Sequence, residues 1–235
     1  MNHIGKYVPN TLTSLSLLSG CIGIAFAFNN NAGGALICII ISACFDFLDG
    51  LAARLLNAYS DMGKELDSLA DLVAFGVAPA MLIFALLSKS CAYSQCGGVE
   101  EYLRYLPFSI PVFSALRLAR FNVDERQKDA FLGLPVPAHA LFWGAVGYSF
   151  FPLLETYGGF ELSLIIAIAT CITSFLLISE IPMFSLKTKS LAWRGNELRY
   201  VLLAGSLASI FLAGVLGIAG AIFLYVLLSV FDKNR

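Results

Sequence analysis

Four aspartates, Asp46, Asp49, Asp67 and Asp71, sit at the junction of two long apolar stretches. An unpaired charged side chain at mid-bilayer depth costs roughly 2.5–3.5 kcal/mol, so four together would cost on the order of 10 kcal/mol. A chain keeps such a cluster only where something cationic neutralises it. Asp46, Asp49, Gly50 and Ala53 fall at i, i+3, i+4 and i+7, one stripe of a helix. Gly63, Asp67 and Asp71 fall at i, i+4 and i+8, one stripe of the next. The segment between, Leu55 to Met62, is short and polar and can only make a tight reversal, so the stripes can face each other. Four converging oxygens suit a hard divalent cation, Mg²⁺ or Mn²⁺, that retains water and binds substrate phosphates. Gly50 removes a side chain from the acidic stripe, as close approach of a bulky ligand requires. Arg54 lies one turn further on and can fork onto a phosphate. The bland alternatives are a structural carboxylate network or the ion path of a cation transporter.

The elements that hold these residues must be membrane helices. Of 235 residues 58% are hydrophobic and only 13% charged, which is outside the soluble globular range. The expectation is an all-α polytopic membrane protein forming one transmembrane domain over residues 1–235, with no cleavable signal peptide. Nothing in the chain points to a nucleic-acid partner. Apolar runs lie at about 11–28, 33–56, 65–88, 105–121, 138–154, 160–179 and 199–231, against about 20 residues per span. With the N-terminus in the cytoplasm, Lys6, Arg54, Lys64, Arg117, Arg120, Arg126, Lys128, Lys187, Lys189, Arg194 and Arg199 fall inside, and only Lys89 and Arg104 outside. The excess of inside positive charge supports that orientation and puts the acidic reversal on the cytoplasmic side. A cytoplasmic C-terminus then needs an even number of spans, hence a bundle of about eight with a bend near Gly214 to Gly217. Against the bend, Gly205, Ser209, Ala213, Gly217 and Ala221 recur every four residues, as on one continuous helix packed closely on a neighbour.

Pro9 and Asn10 suit the start of a membrane-entering helix. Cys21, Cys38, Cys44 and Cys171 lie in apolar runs as small core residues, while Cys91 and Cys96 share an external loop segment where a disulfide can form. Arg117 and Arg120, at i and i+3, share a helix face. They either snorkel as cytoplasmic anchors or bind a lipid phosphate or a substrate carboxylate, with Asn122 as partner. His3 and His139 have no ligand-spaced companions and are read as structural; Trp143 and Trp193 as interface or packing aromatics.

The pattern D-x-x-D-G-x-x-A-R-x8-G-x-x-x-D-x-x-x-D, filled here by Asp46, Asp49, Gly50, Ala53, Arg54, Gly63, Asp67 and Asp71, resembles the motif of the CDP-alcohol phosphotransferase family. Gly63 to Asp71 followed by Phe75-Gly76-Val77-Ala78-Pro79-Ala80, then Ala119-Arg120-Phe121-Asn122 and Gly133-Leu134-Pro135-Val136-Pro137-Ala138, is similar to the subgroup of integral-membrane phosphatidylserine synthases. The resemblance covers about residues 5–180; the helices at about 197–231 carry no motif. It implies a core of six helices, CDP-diacylglycerol as donor, L-serine as acceptor, membrane lipids as surroundings and a homodimer. It also implies two metal ions, Mg²⁺ or Mn²⁺, held by Asp46, Asp49, Asp67 and Asp71, with Asp71 also acting as base. Gly50, Ala53 and Gly63 would leave room for cytidine and pyrophosphate, Arg54 would contact phosphate, and Asn10, in a Pro-Asn-x-x-Thr stretch, would lie near the nucleotide. Arg117, Arg120 and Asn122 are the candidates for serine or lipid phosphate. Glycerol 3-phosphate or inositol phosphate remain alternative acceptors.

Overall fold

In a computed structural model the chain folds as a helical bundle; the structure describes residues 3–94, 97–98, 100–123, 131–153, 159–184, 193 and 196–231. Helix α1 runs His3–Phe28 and α2 Ala32–Leu55. Asn30 turns the chain between them in the left-handed region that asparagine tolerates, φ 58°. Asn31 caps α2 by accepting from the Gly34 N–H at 2.9 Å. The first helix does not begin at Pro9 and Asn10; it begins at His3, with Pro9 inside it. The missing proline N–H deletes one bond near a helix end, which the long apolar remainder of α1 outweighs. The hairpin is clasped by buried hydroxyls. Ser16 and Ser42 donate to each other's carbonyls at 3.1 and 2.9 Å, and Ser19 donates to the Cys38 carbonyl at 2.9 Å. Small hydroxyl residues let two membrane helices approach closely and satisfy the polar groups they bury.

The predicted reversal is present. α2 ends at Leu55, Asn57 adopts φ 48°, and Ser60 caps α3 (Asp61–Asp71), accepting from the Gly63 N–H at 3.0 Å. Directly after Asp71 the helix widens into a π-helical segment, Leu72–Val77, and continues as α4, Ala78–Ser94. A π segment inserts a residue into the turn and re-aims the side chains beyond it, a device frequent beside functional sites. Here it buries Ala74, Phe75 and Gly76. On one side Ala74 presses on Gly20, where a Cβ would come 2.7 Å from the Ala74 Cα. On the other, Gly76 lies against Pro111 and Ser114 of α5, Ser109–Val123. The π segment that follows the acidic helix is therefore wedged between α1 and α5.

α6 (Val136–Phe150) and α7 (Phe160–Ile178) complete the central bundle. Phe131–Leu132 and Pro182–Met183 pair antiparallel at the end of the bundle nearest the acidic reversal. Gly133, at φ 74°, passes so close to the end of α7 that a Cβ would come 2.5 Å from the Leu177 carbonyl. Ile39, Ala74, Phe75, Val136, Ala140, Leu177 and Met183 form the core on this side. His139 is buried as expected of a structural histidine: its Nε2 lies 3.0 Å from Thr173 Oγ1 and accepts from Trp143 Nε1 at 3.1 Å. Trp143 is fully packed, whereas Trp193 is exposed and stacks on Tyr200.

The last apolar run is two helices, α8 (Glu197–Ala213) and α9 (Leu216–Phe231), broken at Gly214 with φ 57°. The four-residue seam is therefore not one continuous helix. Two of its members, Gly217 and Ser209, meet across the hairpin, where a Cβ on Gly217 would strike the Ser209 carbonyl, and Gly220 beside them is as close to Ser209 Oγ. With α3 and α4 taken as one rod, the described residues form eight. Tyr7–Phe28, Ala32–Leu55, Asp61–Ala92 and Phe160–Ile178 are long and apolar enough to cross a membrane, and α9 is a shorter apolar helix. The protein is an integral membrane bundle. Of the four thiols expected in the core only Cys38 is buried; Cys21 and Cys44 face outward and Cys171 is half-buried, since a thiol suits lipid as well as a packed interior. Cys91 is disulfide-bonded; Cys96, its expected partner, lies outside the described residues, as do Arg126, Lys128, Lys187, Lys189 and Arg194 and the His3 side chain.

Candidate active site

Asp46 and Asp49 from α2 and Asp67 from α3 bring carboxylate oxygens within 4.8 Å of one another. Asp71, one turn beyond Asp67, makes a side-chain hydrogen-bond contact with Asp46. Two carboxyl groups that close share a proton or a cation, because two bare carboxylates repel. Oxygens on opposite sides of a Mg²⁺ ion lie about 4.2 Å apart at ligand distances of 2.0–2.1 Å. The cluster thus has the span, the hard all-oxygen donor set and the charge that fit a divalent cation of this kind.

The cluster is positioned from the adjoining helix. Asp49 is only 6% exposed, and Thr13 Oγ1 of α1 donates to its Oδ2 at 2.6 Å. The Pro9 carbonyl is 3.0 Å from the same hydroxyl, but a threonine has one proton, and the shorter contact is the one to the carboxylate. Asn10 stands one turn before Thr13 on the same helix. Its Oδ1 lies 3.0 Å from where a Cβ on Gly63 would be, as does Ser60 Oγ. The space beside Gly63 is thus taken by Asn10 and the cap of α3, and this glycine serves to bring Asn10 close. Gly50 is different: among the described residues a Cβ there would meet nothing within 4 Å. Open space beside the acidic stripe lies at Gly50, with Ala53 half-buried one turn on and Arg54 exposed in the last turn of α2.

Arg117 and Arg120 meet different surroundings despite their spacing. Arg117 is buried at 6% exposure, its Nε has no hydrogen-bond partner among the described residues, and its charge interacts electrostatically with Asp71 and Tyr225. Arg120 ties the end of α5 to the segment after α7, donating to Glu180 Oε1 at 2.7 Å and to the Ile178 carbonyl at 3.3 Å. Asn122 is held on α3: its amide donates to Ser68 Oγ at 2.9 Å, and Lys64 Nζ donates to its carbonyl at 3.0 Å. Arg117 is therefore the member of this trio whose charge is coupled to the carboxylates.

Thr13, Ser68, Glu180 and Tyr225 were not singled out from sequence. Thr13 had a signal, as the threonine of the Pro-Asn-x-x-Thr stretch, three residues after Asn10. Ser68, Glu180 and Tyr225 had none, because their partners lie on other helices.

Comparison with known proteins gives an independent view. The family model described as CDP-alcohol phosphatidyltransferase matches residues 6–226. The chain is similar to the CDP-diacylglycerol–serine O-phosphatidyltransferase of Bacillus subtilis, at 34% identity over 176 residues, which are 75% of this chain and 89% of that protein. It is likewise similar to the proteins of that description from Mycobacterium leprae, at 37% over 79% of this chain and 60% of the relative, and from Saccharomyces cerevisiae, at 38% over 61% of this chain and 44% of the relative. The chain thus spans less than two thirds of the mycobacterial and yeast proteins.

Proposed function

Because the chain belongs to the CDP-alcohol phosphatidyltransferase family, we propose that it transfers the phosphatidyl group of CDP-diacylglycerol to the hydroxyl of L-serine, giving phosphatidylserine and CMP. The observation that carries this reading is the convergence of Asp46, Asp49 and Asp67 from two helices, next to the space open at Gly50. The relatives named for serine transfer support the acceptor.

In this reading Asp46, Asp49, Asp67 and Asp71 hold the divalent ions. Bound there, Mg²⁺ or Mn²⁺ would neutralise the diphosphate and polarise the phosphorus for attack. Asp71 takes the proton of the serine hydroxyl; a base must lie within hydrogen-bond reach of its proton, and Asp71 stands at the edge of the cluster facing Arg117. The serine oxygen bonds to the lipid-bearing phosphorus as the bond to the CMP oxygen breaks, and CMP leaves with that electron pair. Gly50 and Ala53 border the diphosphate, Arg54 meets its charge from the end of α2, and Asn10, brought close by Gly63, lines the nucleotide side. Arg117 receives the serine carboxylate through forked, charge-assisted hydrogen bonds. Arg120 and Asn122 fix the helix ends around it. We place the site at the cytoplasmic face, on the strength of the positive charges flanking that end, and take the working unit to be a homodimer from the family resemblance.

The test is CMP release by purified protein given CDP-diacylglycerol with L-serine, glycerol 3-phosphate, inositol phosphate or no acceptor, with and without Mg²⁺ or Mn²⁺. Release that requires both serine and the metal is expected. Release driven by a phosphorylated alcohol instead would move the protein to another branch of the family.

A further inference from the structure

Two contacts fix how α5 lies along the rod of α3 and the π segment. At one, a Cβ on Gly76 would come 3.3 Å from Ser114 Cβ and 3.3 Å from Pro111 Cα, so the backbones nearly touch. At the other, nearer the reversal, the rods meet through side chains: Asn122 Nδ2 donates to Ser68 Oγ at 2.9 Å, and Lys64 Nζ to the Asn122 carbonyl at 3.0 Å. The register is antiparallel, with Ser68 leading to Gly76 on one rod and Ser114 leading to Asn122 on the other. Asp71 lies three residues after Ser68, and Arg117 three residues after Ser114. Residues three apart share a helix face, so Asp71 and Arg117 both stand between the two contacts. Their depths agree to within about one helical turn.

Ser114 is fully buried and Arg117 nearly so. Among the described residues neither Ser114 Oγ nor Arg117 Nε has a hydrogen-bond partner. Native folds pair almost all of their buried polar groups, so each exception calls for an explanation. Here two exceptions lie one turn apart on one face, level with Asp71. A guanidinium N–H only donates, and a hydroxyl has one proton to give. The group that satisfies both brings oxygen lone pairs, as a carboxylate or a phosphate does. An alcohol that presents its hydroxyl to Asp71 carries its anionic group a few bonds away, within reach of these donors. We propose that Ser114 is an acceptor-binding residue, its hydroxyl donating beside Arg117 to the anionic group of the incoming alcohol. This rests on the serine-transfer reading given above, in which that group is the serine carboxylate. Gly76 has its part in it, because a side chain there would press on Ser114.

The test is Ser114→Ala, which removes one oxygen and keeps the packing on Gly76. Wild-type and variant protein are assayed for CMP release from CDP-diacylglycerol with L-serine, ethanolamine, L-glycerate and glycerol 3-phosphate. Ethanolamine is serine without its carboxylate; L-glycerate keeps the carboxylate and replaces the ammonium by a hydroxyl. Losing one hydrogen bond to a charged group should raise the serine KM about tenfold, with the KM for CDP-diacylglycerol within about twofold. A site that pairs a substrate group discriminates against the analogue lacking it. The preference for serine over ethanolamine should therefore shrink by about the same factor, and that for serine over glycerate should stay. Both are ratios within one preparation, so they do not depend on how much of the variant folds. Thermal stability should not fall, because the lost hydroxyl has no partner within the described protein. An unchanged serine KM overturns the proposal and leaves Ser114 a small packing residue. A fall in stability with the serine-to-ethanolamine preference intact overturns it too, and makes the hydroxyl a water-held structural group. If wild type ignores serine and takes glycerol 3-phosphate, the serine reading fails, and the subsite stands only if Ser114→Ala raises the KM for that phosphate by a like factor. If wild type takes neither, both readings fail.

Discussion

The Thr13 hydroxyl donates to Asp49 Oδ2 at 2.6 Å across the α1–α2 interface, at a point where both residues are buried. One carboxylate oxygen of a cluster member is thus fixed from the neighbouring helix. A partner that orients a metal-binding group typically contributes 10–100-fold in affinity or activity. Thr13→Val, which keeps the shape, should lower CMP release about tenfold and raise the metal concentration giving half-maximal rate. Thr13→Ser should restore most of both. A titration of rate against Mg²⁺ or Mn²⁺ for the three proteins checks this, and an unaltered metal requirement in Thr13→Val would remove the positioning role.

Asp71 differs from its neighbours in touching the cluster through Asp46 and in its electrostatic interaction with Arg117. Asp71→Asn should abolish turnover while leaving CDP-diacylglycerol binding largely intact. Asp67→Asn, by contrast, should impair both, since Asp67 belongs to the converging set. Binding of a radiolabelled CDP-lipid measured beside CMP release separates the outcomes. Equal loss of binding in both variants would make Asp71 one more ligand and no base.

Gly50 and Gly63 make a matched pair of opposite kinds. A methyl at Gly50 meets nothing within 4 Å among the described residues, so Gly50→Ala, in the interior of α2, should not lower thermal stability and should raise the KM for CDP-diacylglycerol, because only a bound ligand would feel it. A methyl at Gly63 lies 3.0 Å from Asn10 Oδ1 and from Ser60 Oγ. Gly63→Ala should therefore shift the cap of α3 and lower the midpoint of thermal unfolding even with no substrate present. Scanning calorimetry of both variants in detergent, with and without CDP-lipid, tells them apart.

Most of this arrangement was legible because helix periodicity turns spacing into geometry. Asp46 and Asp49 had to share a stripe, Asp67 had to come on the next helix, and the polar residues 55–62 had no length for anything but a turn. The seam at Gly205 to Ala221 was ambiguous for the same reason, and the expected bend near Gly214 to Gly217 is the reading that holds. A four-residue period looks alike on one helix and on two that fold back on each other, and only the backbone at Gly214 decides. The start of α1 was misplaced because a proline near a helix end deletes a bond without ending the helix. The π segment after Asp71 left no trace in the apolar pattern, since Leu72 to Val77 is apolar all round. Arg117 and Arg120 were alike in sequence and unlike in place, because what surrounds them comes from α3, from the segment after α7 and from α9.

That difference gives the last prediction. Arg120 pairs with Glu180, whose side chain is largely exposed, so the pair is a surface one and its free-energy contribution should be no more than about 1 kcal/mol. Arg120→Ala and Glu180→Gln should each lower thermal stability slightly and to a similar degree. Both should leave the serine KM within about twofold, because neither residue faces Asp71. Arg117 has no such partner at its Nε and is buried. Arg117→Lys keeps the charge but loses the fork. It should raise the serine KM by about tenfold or more, with the KM for CDP-diacylglycerol little changed. Steady-state kinetics in both substrates for the three variants distinguish a carboxylate-binding Arg117 from a merely structural one, which would instead lower stability and leave the serine KM alone. An Arg120→Ala protein with the larger serine defect would exchange the roles of the two arginines.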